Sequence, residues 1–218
     1  MVADLIAQFY NKHVKHHATG RLVDLGCGKV PLFGTYRAYV SDVTCVDWAE
    51  PVDGENHLDF ICDLSKPLPF REGEFHTIIL SDVLEHIADP GLLWSEMARI
   101  LSPGGKLMMN TPFIYCLHDQ PHDYYRFSKY ALQRFAELNG FDVIYLEPLG
   151  GTPEILADIL CKHIQFVPLV GKLLAQALQG ITFWFVQSKP GASLSRRTGE
   201  AFPLGYAMIA ERGHRDSD

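Results

Sequence analysis

The sequence predicts an α/β fold built around a largely parallel sheet. Two observations carry this: short apolar, strand-like runs alternate with helical periodicity along the chain, and the first such run ends in a glycine turn. A third is composition. The 218 residues are 47% hydrophobic and 21% charged, enough to bury a substantial core and unlike a disordered or fibrous chain.

Residues 3–17 place Leu5, Ile6, Phe9, Tyr10 and Val14 at helical spacing, and Gly20 follows as a stop. Arg21–Leu25 reads as a strand running into Gly26-Cys27-Gly28. Pro31 opens a helical stretch to about Val40, Val43–Val46 is a second strand ending at Asp47, and His57–Cys62 is a third. Phe75–Leu80 reads as a fully buried parallel strand. Asp89-Pro90 is an N-cap with proline at the first helical position, and the helix it opens buries Leu93, Met97, Ile100 and Leu101. Ser102-Pro103-Gly104-Gly105 reads as a turn into a strand at Lys106–Asn110. Ser128 caps a helix stopped by Gly140, and Phe141–Leu146 is a sixth strand. Residues 154–187 are apolar and helical in period, 188–203 read as a loop, and Tyr206–Ala210 is the last strand.

Charge and cysteine usage exclude several classes. A net charge of -7 disfavours a diffuse electrostatic grip on nucleic acid. Cys27, Cys45, Cys62, Cys116 and Cys161 form no C-x-x-C pair and no zinc spacing. His13, His16 and His17 fit a solvated helix end, so no metal site is expected. MVADLIAQFY lacks a basic segment followed by an apolar one, so the expected compartment is cytoplasmic.

The sharpest motif is V-D-L-G-C-G at 23–28. A strand ending in Gly-x-Gly lets the backbone turn tightly and approach a ligand. Asp47, 21 residues after Gly26, stands where a carboxylate would accept from a ribose diol. Pro31 replaces the third glycine of a dinucleotide loop, so a ligand with a ribose and no phosphate fits better; S-adenosylmethionine is such a ligand.

With these residues the chain resembles the class I S-adenosylmethionine-dependent methyltransferases, in particular the type 11 branch. The resemblance covers about residues 20–147 and the final strand. It rests on VDLGCGKVP (23–31), CVDWAE (45–50), FICDLSKPLPF (60–70), FHTIILSDVLEHIADP (75–90) and RILSPGGKLMMNTPF (99–113), in that order. It implies one Rossmann-like domain over 1–218: a seven-stranded, mostly parallel sheet, helices on both faces, and an antiparallel last strand inserted next to the fifth. It also implies roles. Gly26, Cys27 and Gly28 would pass beside the methionine moiety with Asp24 near its amino group. Asp47 would hold the ribose hydroxyls and Trp48 would pack on the adenine. Asp63 would accept from the adenine amino group, Leu64 would line the ring, and Ser81 would face the sulfonium.

The candidate catalytic residues are His86, after the fourth strand, and His122, Asp123, Tyr125 and Arg126 in the dense loop H-D-Q-P-H-D-Y-Y-R-F-S at 118–128. His122 beside Asp123 would make a base with its orienter. Asn110-Thr111-Pro112-Phe113 follows the fifth strand and is not read as an amino-methylation loop.

Residues 164–186 form an amphipathic pattern, with Leu169, Val170, Leu173, Leu174, Ala177, Leu178 and Ile181 on one stripe and Lys172, Gln176 and Gln179 opposite. Within the insertion 154–203 this is expected to cap the substrate; peripheral membrane contact and a homodimer face are the alternatives. The expected function is methyl transfer to a small or lipid-linked acceptor, at oxygen. The rivals are carbon methylation of a quinone-like ring and a non-catalytic protein that binds S-adenosylmethionine.

Overall fold

The computed structural model describes residues 1–48 and 58–213. Ala49 and Glu50 of the second motif, and His57 at the start of the third expected strand, lie outside the described residues.

A single sheet has the order β3-β2-β1-β4-β5-β7-β6. Its strands are β1 (Arg21–Leu25), β2 (Asp42–Asp47), β3 (Phe60–Ile61), β4 (Phe75–Ser81), β5 (Leu101–Pro112), β6 (Phe141–Leu149) and β7 (Gly205–Arg212). The first five run parallel; β7 runs antiparallel between β5 and β6. The chain moves outward from β1 to β3 and then returns to β4 on the other side of β1. That reversal opens a crevice at the carboxyl ends of β1 and β4, where open α/β sheets bind ligands.

The helices are α1 (Val2–His17), the short α2 (Phe33–Tyr36), α3 (Pro90–Ile100), α4 (Lys129–Leu138), α5 (Thr152–Ile164), α6 (Gly171–Gln187) and α7 (Lys189–Gly199). Two apolar layers sandwich the sheet. One gathers Val23, Leu25, Ile78 and Leu80 against Leu93, Trp94 and Met97 of α3 and Leu132 and Ala136 of α4. The other packs Phe9, Tyr10 and Val14 of α1 and Tyr36 of α2 onto Leu22, Ile79, Met108 and Ile209. Alternate residues of the central strands thus enter opposite layers, as pleating requires.

Several boundaries differ from the sequence reading. The helical stretch expected up to Val40 is α2 followed by one 3₁₀ turn, Arg37–Tyr39. The turn expected at 102–105 is absorbed into β5 as a bulge: Phe75 pairs with Leu101 while Thr77 pairs with Lys106. The largest correction is α7, expected as a loop. Ser188 caps it by accepting the Gly191 N–H at 3.3 Å, and proline occupies its first turn. Its small, polar composition hides the helix. Gly191 is needed because a Cβ there would meet Phe185 O within 2.0 Å.

The amphipathic stripe of α6 faces outward. α6 packs on its neighbours through Gly171, Ala175, Thr182 and Val186, while Leu173, Leu174 and Ile181 are exposed. Small residues allow the close approach of α5, whose Cys161 thiol reaches Ala175 O at 3.3 Å. A Cβ at Gly171 would lie 2.3 Å from Ile164 O. No helix among the described residues is long and apolar enough to cross a membrane.

Candidate functional site

The glycine turn after β1 combines one tight contact with one open space. Gly26 and Gly28 have φ of +73° and +53°, in the left-handed region where Cβ is disfavoured. A Cβ on Gly26 would lie 2.3 Å from Val83 Cγ2, whereas one on Gly28 would meet nothing within 4 Å among the described residues. The first glycine therefore lets β1 and the β4 turn meet, and the second faces free space. Asp47, at the end of β2, accepts the Gly28 N–H on Oδ2 at 2.8 Å and the Trp48 N–H on Oδ1 at 2.7 Å. Asp24 is buried and accepts the Tyr36 hydroxyl at 2.8 Å. Burial pushes the Asp24 carboxyl up to about 7, against the opposing Tyr36 hydrogen bond.

These elements border a cavity of about 630 Å³. It brings together Gly26, Asp47, Trp48, Asp63, Leu64, His86 and His122 from the expected set. Its walls do not include Asp24, Cys27, Gly28 or Ser81. Trp48 is 57% exposed and stands edge-on to His122, ring centroids 5.0 Å apart. Asp63 organises its own turn: Oδ1 accepts the Ser65 N–H at 2.9 Å and Oδ2 pairs with Lys66 at 3.2 Å. The Ser65 N–H chiefly holds its carboxyl below the usual range.

Ser81, at the end of β4, donates to Asn110 Oδ1 at 2.7 Å, and Asn110 Nδ2 donates to Asp82 Oδ1 at 2.7 Å. Tyr10 of α1 also donates to Asn110 Oδ1, at 3.1 Å. The sequence reading missed Asp82, which this network holds in place. It is a non-glycine residue at φ +52°, a conformation that costs free energy unless its surroundings fix it. Burial, then the Glu85 carboxylate, pushes Asp82 up to about 7.

A second cavity, about 160 Å³, shares Asp82 and Asp119 with the first. Val2, Leu5 and Ile6 of α1, with Leu149 and Leu204, give it an apolar side; Asn110, Thr111, Tyr115 and His118 give it a polar one. Residues 154–203, expected to cap the substrate, line neither cavity. They act one step back, where Lys162 Nζ sits 3.5 Å from the centre of the Tyr115 ring.

The loop 118–128 does not contain the expected pair. Asp123 turns away from His122: its oxygens accept Arg126 Nη1 at 2.5 Å and Nη2 at 2.8 Å, and the His118 N–H at 3.0 Å. The histidine beside Asp123 in space is His118, with Nδ1 3.4 Å from Asp123. His122 Nδ1 instead meets the Tyr124 hydroxyl at 3.0 Å. Tyr125 donates to Ala88 O at 2.9 Å, and Arg126 also reaches Cys116 O at 3.0 Å. Asp123, Tyr125 and Arg126 line neither cavity; they fold the loop over the crevice.

Folding the loop brings His118 to His86 and Glu85. The two Nε2 atoms are 3.2 Å apart, and Glu85 Oε1 lies 3.8 Å from His86 Nε2 and 3.7 Å from His118 Nε2. Glu85 is fully buried; Thr111 donates to its Oε2 at 3.2 Å, and among the described residues Oε1 has no hydrogen-bond partner. The Glu85 carboxylate beside His118 favours the protonated ring. Among the described residues, these three are a group with metal-ligand spacing, in a chain for which none was expected. Their 32-residue separation hides the cluster in the sequence.

Comparison with known proteins agrees with this geometry. Residues 23–109 match the family model described as "Methyltransferase domain". A ubiquinone biosynthesis O-methyltransferase of Xanthomonas oryzae pv. oryzae (strain PXO99A) is 28% identical over 104 residues, covering 43% of this chain and 44% of that protein. A protein of the same name from Nitrobacter winogradskyi is 33% identical over 100 residues, covering 42% and 38%. The chain thus spans less than half the length of these curated relatives. Across the whole fold, a SAM-dependent methyltransferase from Archaeoglobus fulgidus superposes with a TM-score of 0.63 at 15% identity, covering 97% of this chain and 94% of that one. The strand order, the braced glycine turn and the matched segment agree: residues 23–109 match a methyltransferase domain, within a fold that S-adenosylmethionine-dependent methyltransferases share.

Proposed function

We propose that the protein transfers the methyl group of S-adenosylmethionine to an oxygen of a small acceptor with an apolar body. The observation that carries this reading is the junction of the two cavities at Asp82 and Asp119. The larger, with the glycine turn and Asp47, suits an adenosine. The smaller, apolar on one side and polar on the other, suits a hydroxylated ring or chain. A sulfonium favours acidic surroundings, and Asp24, Asp47 and Asp82 supply them. The reaction is an in-line displacement, so positioning supplies most of the rate. The acceptor oxygen forms a bond to the methyl carbon as the sulfur–carbon bond breaks, and the hydroxyl proton must leave. Asp82, titrating near 7 at the junction, is the group suited to receive it. His122, without a carboxylate partner, is assigned to the cofactor side beside Trp48.

Oxygen is preferred over carbon because curated relatives carry the name ubiquinone biosynthesis O-methyltransferase. The test is formation of S-adenosylhomocysteine with a panel of phenols and catechols of increasing apolar length, with the product's methyl carbon identified by NMR. A carbon-bound methyl overturns the oxygen assignment. Cofactor binding without turnover on any acceptor favours the non-catalytic reading.

The same reading extends to where the acceptor is met. The α5–α6 hairpin exposes Phe166 (80%), Leu169 (fully) and Leu173 (69%) at its tip, and Trp184 (75%) along α6. Between Asp158 and Glu200 the chain has Lys162, Lys172, Lys189, Arg196 and Arg197 and no acidic residue, although its net charge is -7. Apolar side chains in a basic segment of an acidic protein match an anionic lipid surface. That is the occupant we assign to this face, in place of a substrate cap.

A further inference from the structure

The cluster of Glu85, His86 and His118 has a chemical demand that the protein alone does not meet. Its three facing atoms are His86 Nε2, His118 Nε2 and Glu85 Oε1, separated by 3.2, 3.7 and 3.8 Å. The nearest point equidistant from all three lies about 2.1 Å from each, the length of a zinc–imidazole bond.

The other ring nitrogens are already committed. His86 Nδ1 lies 2.7 Å from His122 O, which can only accept, so Nδ1 holds the proton and Nε2 presents a lone pair. His118 Nδ1 faces Cys116 O at 3.3 Å and Asp123 Oδ2 at 3.4 Å, again acceptors, so Nδ1 keeps its proton, and the proton that Glu85 favours on this ring sits on Nε2, where a metal ion would replace it. Both imidazoles are therefore oriented as metal-binding histidines are, with the far nitrogen donating to a carbonyl or carboxylate. Glu85 Oε1 is the independent sign: it belongs to a fully buried side chain, it has no hydrogen bond among the described residues, and it points into the same spot. Three electron-pair donors that converge without a proton or cation repel one another.

We propose that Glu85, His86 and His118 form a divalent-metal site between the two cavities, with open coordination positions that take an oxygen of the acceptor. Two nitrogens and one carboxylate oxygen select a borderline ion such as Zn²⁺ or Co²⁺ over Mg²⁺ or Ca²⁺, which prefer oxygen donors. Asp119 Oδ2, 3.9 Å from His86 Nε2 and largely exposed, is a fourth donor within reach of a side-chain rotation. His86 lines the larger cavity and His118 the smaller, so a ligand on the open side sits where acceptor and methyl group meet. The metal-binding half of the proposal stands without the methyl-transfer reading; the coordinated acceptor rests on it. Coordination lowers the pKa of an acceptor hydroxyl, which passes its proton to Asp82 at the junction and, as the oxygen–carbon bond forms, displaces the sulfur from the methyl carbon, leaving S-adenosylhomocysteine.

The purified full chain, stripped with a chelator and dialysed, is titrated with ZnCl₂ by calorimetry and with CoCl₂ by visible absorbance. One tight equivalent is expected, with cobalt d–d bands of a nitrogen-containing low-symmetry site. His118→Ala and Glu85→Gln should each weaken binding by at least about 100-fold. Glu85→Gln is close to isosteric and keeps an acceptor for Thr111, which guards against a variant that simply fails to fold; circular dichroism checks both. No stoichiometric binding by the wild type, or an unchanged affinity in folded His118→Ala, overturns the site and means that a proton sits between the rings. Metal binding with methyl transfer that is unchanged after chelation overturns acceptor coordination. Metal binding with no turnover on any acceptor leaves the site standing and counts against methyl transfer.

Discussion

Asp47 Oδ2 accepts the backbone N–H of Gly28 at 2.8 Å, so the carboxylate that ends β2 braces the turn that follows β1. One side chain thereby shapes the loop and presents its remaining lone pairs to the larger cavity. Asp47→Ala removes the brace and, on the proposed reading, the acceptor for the ribose hydroxyls. Unpaired buried polar groups should weaken S-adenosylmethionine by about 2–3 kcal/mol in a protein that remains folded. Calorimetry checks this, and an unchanged dissociation constant would remove Asp47 from the cofactor site.

The Asp24–Tyr36 hydrogen bond leads to a pH prediction. Burial raises Asp24 to about 7, so the folded protein holds that proton where the unfolded chain has already lost it. A raised carboxyl contributes stability that declines as pH rises from about 4 to about 7. The cationic cofactor should prefer the ionised form, so binding below pH 7 should release protons and tighten as pH rises. Asp82, also about 7, adds to the same trend. Calorimetry in buffers of different ionisation enthalpy counts these protons. Asp24→Asn should lower the count, and an equal count in that variant would contradict the assignment.

Arg126 is predicted to matter for folding more than for chemistry. It grips Asp123, whose side chain is only 2% exposed, with two nitrogens. Removing one partner of such a pair leaves a buried charge, so Arg126→Ala should cost about 3 kcal/mol near neutral pH. Arg126 is the main reason that the Asp123 carboxyl lies well below its usual range. A depressed pKa gives stability that is present above the unfolded value, about 4, and lost as pH falls below it. The variant should therefore show a flatter decline in melting temperature on acidification than the wild type. A parallel decline would mean that the pair does not govern acid stability.

How much of this was legible in the sequence depended on whether the signal was local. The parallel strands, the Gly26-to-Asp47 spacing and the Asp89-Pro90 cap are each set by a few adjacent residues, and the structure has them where they were expected. His86, His118 and Glu85 come together only through tertiary folding of the 113–128 segment, which no periodicity reports. The His122–Asp123 pair failed for the opposite reason: adjacency in sequence suggested a contact, but Arg126 and His118 occupy the Asp123 carboxylate and His122 turns to Tyr124. In α6, apolar spacing gave the helix, and left open what its apolar stripe meets. The stripe is exposed, and α6 packs on α5 through Gly171 and Ala175, which offer a closer approach than leucines could.

That exposed stripe makes the last prediction. Phe166 and Leu169 stand in the turn between α5 and α6, clear of the core, so replacing both with serine should leave melting temperature and cofactor affinity unchanged. If the hairpin tip enters a lipid surface, each loses much of the roughly 1.5–3 kcal/mol that burying such a side chain contributes. Partition onto phosphatidylglycerol vesicles should then fall at least about tenfold. Lys172→Glu should act through charge instead, weakening binding at low salt and little at high salt. Phosphatidylcholine vesicles should bind the wild type poorly. Analytical ultracentrifugation separates the alternative of a homodimer: a wild-type dimer that the double variant converts to monomer, with no vesicle binding by either, would assign the face to a second copy of the chain. Vesicle binding that survives the double variant would place the lipid contact elsewhere, and the hairpin would lose its role.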